Sequence, residues 1–158
     1  MPVPIVGDMR VTFPRLPDHQ RAYALVERDD GVVYRLYGGT AGSRLPADIM
    51  HLIAERELRI RDGVWAGIAA GAASHPPSLR AEALADLVCR AAALENMTQD
   101  KIRQLARVKL AGLPPAELAG ADVDPVVIAA AARALQVEAA RWARLRVGEE
   151  LSYEWPGN

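Results

Sequence analysis

Asp48, His51 and Glu55 lie within about two helical turns of each other in LPADIMHLIAERELRIRDGVWAGIAAG, residues 45–71. On an α-helix each residue advances about 100°, so the three side chains share an arc of roughly 60° and reach a common point. Three such groups could ligate a metal. Alternatively His51 could act as a general base, with Asp48 and Glu55 orienting it. The same helical wheel also supports a plainer assignment. Ile49, Met50 and Ile53 point the other way, which makes the trio the wet side of the helix. Arg59 follows Glu55 by four, the spacing of an ion pair that would neutralise the carboxylate. Leu52 and Leu58 border the arc on both sides, so a covered, hydrogen-bonded cluster remains open. A solvated polar face is the preferred expectation. The spacing is not that of a His-Glu-x-x-His metalloprotease helix, and His19 and His75 sit in proline-rich connections.

Gly63, Gly67 and Gly71 recur every four residues just beyond the trio. On a continuous helix they would share a face, each weakening it by about 1 kcal/mol relative to alanine. Close approach of a second helix is the usual compensation, and the alanine-rich segment 129–143 is the expected partner. The alternative is a bare pocket wall with Trp65 as a flat contact.

The surrounding elements are legible from pattern. Residues 1–20 carry Pro2, Pro4, Pro14 and Pro17 and read as an extended arm, with a short strand at Arg10–Phe13. Residues 21–37 form a hairpin signal around Asp29-Asp30-Gly31. A three-residue loop there pairs Ala24 with Leu36 and Val26 with Tyr34 on one face. GGTAGSRLP (38–46) lacks the Lys-Ser/Thr ending of a phosphate-binding loop and reads as a hinge. From Pro46 to residue 147 the pattern is helical, in about five helices. The first runs to about Arg61, later ones are capped by Ser78, Thr98 and Asp124, and Gly148 closes the last. Along that last helix Ile128, Ala132, Leu135, Ala139, Trp142 and Leu145 form one stripe. Residues 149–156 alternate like a strand that could join the hairpin. The expectation is a single α+β domain over 1–158, a small antiparallel sheet packed on helices.

Composition narrows the function classes. The formal net charge is −1, so no overall field draws the chain to nucleic acid or an anionic membrane. Its cations are 17 arginines against 2 lysines, a bias of the kind a GC-rich genome imposes. The lone Cys89 cannot form an internal disulfide or a cysteine-based zinc site, and its apolar helical context reads as an inert thiol. The N-terminus lacks a signal-peptide pattern, so a cytoplasmic location is expected.

The segment PADIMHLIAERELRIRDGVWAGIAAGA, the hairpin and the ending RWARLRVGEELSYEWP together resemble a family of uncharacterised proteins from GC-rich actinobacterial genomes. That family shows a Pro-x-Asp-x-x-His-x-x-x-Glu-x-Glu-Leu helix followed by a glycine-rich one. The resemblance covers residues 22–37, 46–73 and 142–156. Where the family often has a histidine after the proline this chain has Ala47, which argues against a two-histidine metal site. No activity comes with the resemblance.

Two functional expectations follow. The first is a small non-catalytic protein that binds a protein partner or a second copy of itself. The second is an accessory hydrolase or metal-assisted enzyme using His51, Glu55 and Asp48. No motif specifies a cofactor. Arg133, Arg141, Arg144 and Arg146 spread around the last helix without a groove-reading motif, so nucleic acid is not an expected partner.

Overall fold

The computed structural model describes residues 8–71, 76–118 and 123–156. Four antiparallel strands, β1 (Met9–Pro14), β2 (Arg21–Arg28), β3 (Val33–Thr40) and β4 (Glu150–Trp155), pair in the order β3-β2-β1-β4. Between β3 and β4 run α1 (Ala47–Glu57), α2 (Val64–Ala69), α3 (Leu79–Ala92), α4 (Gln99–Ala111), the single turn α5 (Pro115–Leu118) and α6 (Pro125–Arg144). The architecture is α+β, as the patterning predicts.

The hairpin register matches expectation: Ala24 faces Leu36 and Val26 faces Tyr34. Gly31 sits at φ 86, and Arg28 N–H donates to Val32 O at 2.9 Å across a three-residue loop. Glycine populates that left-handed region without a Cβ penalty.

The short strand expected at Arg10–Phe13 is present within β1, but the segment that carries it is not a free arm. Met9, Val11 and Phe13 alternate inward and are buried, which makes β1 a central strand between β2 and β4. Period-two alternation overrides the prolines here because Pro14 only ends the strand, where no ladder donor is lost. Residues 1–7 lie outside the described residues. Residues 38–46 are not a free hinge either. Gly38–Thr40 belong to β3, Ala41 is bonded to Gln20 and His19, and Gly42 O accepts the Trp142 indole N–H at 3.1 Å.

One apolar cluster joins the inner face of the sheet to α1, α2, α3, α4 and α6. Ser78, Thr98 and Asp124 cap α3, α4 and α6 through their side-chain oxygens, as expected of those residue types. The α6 stripe buries Ile128, Ala132, Leu135 and Trp142. Gly148 lies in the turn into β4 rather than closing α6, which ends at Arg144. On the outer face of the sheet Tyr23 and Tyr37 pack together, with the guanidiniums of Arg35 and Arg21 each 4.6 Å from a ring centre.

Candidate functional site

The three residues at the centre of the sequence argument separate in the fold. Helix α1 is covered by α3, α6 and α2, so its expected wet side is partly enclosed. Glu55 is 2% exposed, whereas Asp48 and His51 are half-buried. The solvated-face expectation therefore fails for Glu55. The flanking Leu52 and Leu58 were the sequence signal for its cover.

Glu55 serves the start of α2. That helix begins at Gly63, which has no side chain to cap it. The Glu55 carboxylate accepts the Trp65 N–H at 3.0 Å, with the N–H groups of Val64 and Ala66 alongside. It acts as an N-cap delivered from the preceding helix, set against the positive end of the α2 backbone. Burial pushes its pKa up to about 7 even though these donors favour the charged form, and Asp62 adds to the rise. Asp48 is also raised by burial, an effect opposed by the nearby His51. Its backbone oxygen accepts the Trp65 indole N–H at 3.1 Å. Among the described residues His51 hydrogen-bonds neither carboxylate, and no group of three His, Cys, Asp or Glu side chains converges as a metal site.

Arg59 does not pair with Glu55. Helix α1 ends at Glu57, and Arg59 takes a left-handed conformation with φ 53. Arg59 N–H bonds Arg56 O, and Ile60 N–H bonds Glu55 O. This is a Schellman turn with arginine where glycine is usual. It drops Ile60 into a small satellite cluster with Ala81 and Leu84, and that burial stops the helix a turn early.

The three glycines likewise take different roles. Gly63 is the N-cap of α2, Gly67 lies inside it, and Gly71 follows it at φ 88 beside the Arg28 guanidinium. The main helical neighbour of α2 is α1. Helix α6 instead packs on α3, α1 and α4, so segment 129–143 does not provide the expected cover.

A groove of about 1090 Å³ opens beside these elements, between β4, the C-terminal end of α1, α2 and α6. On its floor the Tyr153 hydroxyl donates to Glu138 Oε2 at 2.6 Å, and Arg141 Nη1 donates to both oxygens of Glu138. Glu138 is buried, and the Arg56 guanidinium stands 5.6 Å from the Tyr153 ring centre. Burial, reinforced by Glu138, holds the Tyr153 hydroxyl far above its ordinary pKa.

Sequence reasoning missed this group. The signal was present: Glu138 sits three residues after Leu135 and four before Trp142, on the edge of the buried α6 stripe. Tyr153 shares the inward phase of Leu151 and Trp155. Elsewhere Cys89 is half-buried, and burial pushes its thiol up, which fits the inert thiol expected. No helix among the described residues is long and apolar enough to cross a membrane.

The chain matches no family model, no curated protein and no solved structure.

Proposed function

We propose that the chain is a non-catalytic binding protein and that its binding surface is the groove beside β4. The observation that carries this reading is the commitment of Glu55. Its carboxylate holds the N-terminus of α2 and is 2% exposed, and among the described residues His51 hydrogen-bonds neither Glu55 nor Asp48, so no carboxylate bond orients it as a base. The groove, in contrast, is concave, of ligand size, and lined by both apolar and charged side chains.

One observation favours the enzyme as a second reading. A carboxyl group poised near pH 7 beside a groove suits acid–base work. Solvent access separates the two, because a base must reach the proton it takes.

Thermal melts of the parent and of His51→Ala, each with and without 1 mM zinc (roughly 100 times a working Kd of about 10 μM), test the choice. Binding without catalysis predicts melting temperatures unmoved by the metal and a variant close to the parent. A rise on adding zinc in the parent alone would restore the metal-assisted enzyme.

A further inference from the structure

Strand β4 ends the sheet, pairing with β1 on one side only. Alternate residues of such an edge strand direct their N–H and C=O groups away from the sheet. The groove runs along this edge: Ser152 and Glu154 from the outer face line it together with Tyr153 and Trp155 from the inner face. Across from β4, Ala66, Ala69 and Ala70 present short side chains that leave the space open.

The charges around the groove are unevenly satisfied. Glu138 is taken by Tyr153 and Arg141, Glu154 by Arg10 and Glu55 by the α2 backbone. Arg56, Arg59 and Arg61 line the same groove and form no ion pair among the described residues. They outnumber Asp8 and Glu57, the acids on the rim not assigned above to a partner.

Resting on the groove-binding reading above, we infer that the occupant is an extended acidic peptide segment of a partner protein, which adds to the free edge of β4 as a fifth strand. Main-chain hydrogen bonds to β4 supply affinity, and alternate side chains supply selectivity. Residues on the helix side of the added strand carry carboxylates toward Arg56, Arg59 and Arg61. Those on the outer side lie beside Glu150 and Glu154 and are uncharged. A second copy of the chain is the alternative the test separates: two β4 strands paired antiparallel about Ser152 would set Glu150 opposite Glu154, and like charges directly opposite destabilise that register.

The test is an NMR titration of the full chain with a capped octapeptide alternating threonine and glutamate. Companion peptides carry N-methyl groups on all the threonines or on all the glutamates, or lysine in place of glutamate. Strand addition predicts amide shifts along residues 151–156. It also predicts loss of roughly tenfold or more in affinity for one N-methylated peptide and not the other, since only one parity of N–H faces β4. Arg59→Glu/Arg61→Glu changes two exposed side chains. It should weaken the glutamate peptide by a similar factor and favour the lysine one.

Equal binding of both N-methylated peptides overturns strand addition, as does no saturable binding of the unmethylated one. Groove shifts with N-acetylglutamate but none with the peptide also overturn it, while leaving the groove as a binding site. A dimer in sedimentation whose interface maps to β4 overturns it in favour of self-association.

Discussion

Glu55 and Trp65 hold α1 and α2 together through the backbone: the Glu55 carboxylate accepts the Trp65 N–H at 3.0 Å. The Trp65 indole returns a bond to the Asp48 carbonyl one helical stretch earlier, at 3.1 Å. One tryptophan thus fixes both the position and the tilt of α2 on α1. Its ring is 1% exposed and meets Phe13 edge-on at 6.1 Å, which ties the helix pair to the centre of the sheet. Phe13 in turn meets Tyr153 at 5.9 Å, so the groove floor belongs to the same packed unit.

Gly63 is the residue this contact cannot spare. A Cβ there would stand 2.0 Å from Glu55 Oε1 and 2.4 Å from its carboxyl carbon. That carboxylate is buried and held by backbone donors, so it has nowhere to swing. Gly63→Ala should destabilise by about 2–3 kcal/mol, from overpacking together with loss of the cap and net of a small entropic gain. Gly38 offers the control: its added Cβ meets only the carboxyl end of the half-buried Asp48, at 2.7 Å from Oδ2. That side chain can rotate, and Gly38→Ala should cost less than about 1 kcal/mol. Urea denaturation of both variants decides; equal costs would mean that Glu55 is not fixed.

Stability should fall as pH rises through the range in which Glu55 titrates. Its pKa is about 7 in the folded protein, above the 4.5 of the ordinary side chain. Between those values the folded state binds more protons than the unfolded one, so stability declines with rising pH and levels off above 7. The contribution is at most on the order of 3 kcal/mol. Glu55→Gln keeps the shape and an acceptor oxygen and removes the titration. It should match the parent near pH 4, below the ordinary value of the side chain, and exceed it near pH 8, as read by denaturant melts at the two values. A constant difference between the two proteins would show that Glu55 is ionised throughout.

Local patterning was enough where neighbours in sequence are neighbours in space. Asp29-Asp30-Gly31 specified the hairpin register, and Ser78, Thr98 and Asp124 marked helix starts, because turn and cap chemistry is settled within a few residues. Glu55 could not be placed that way. Its partner is the N-terminus of a helix ten residues on, and a wheel drawn for α1 alone shows a polar arc with no sign of what turns back over it. The glycine spacing misled for a related reason. A repeat of four implies one face only if the helix is continuous, and α2 spans six residues, with Gly63 and Gly71 outside it. The Glu138–Tyr153 pair joins a helix to the final strand, so neither residue announces the other locally.

Glu138 and Tyr153 should be strongly coupled. The Tyr153 hydroxyl and Arg141 are the hydrogen-bond partners that keep this buried carboxylate satisfied. Tyr153→Phe removes one of them and should cost about 1–3 kcal/mol, since a charged acceptor is left short of a donor. Glu138→Gln removes the charge, and Tyr153→Phe in that background should cost less. A double-mutant cycle by thermal or urea denaturation measures the difference. Additive effects would mean that the hydroxyl and the carboxylate do not share a bond in solution.

Removing the Arg59 side chain should make the chain more stable. Its φ of 53 places a Cβ-bearing residue in the left-handed region, at the position of a Schellman turn that glycine usually fills. The strain of that conformation is about 1–2 kcal/mol for a residue with a Cβ. Glycine would relieve it, at the expense of roughly 0.5–1 kcal/mol of additional chain entropy in the unfolded state. Arg59 is exposed and forms no ion pair among the described residues, so little else is lost. The net expectation for Arg59→Gly is a gain of a few tenths to about 1 kcal/mol. In the same variant the acidic octapeptide should bind more weakly, because one of the three groove arginines is gone. The arginine would then be kept for its charge, with the strain tolerated as the consequence. Opposite signs in the urea melt and the peptide titration would establish that trade. A variant less stable than the parent would show that Arg59 supports the turn through contacts of its own.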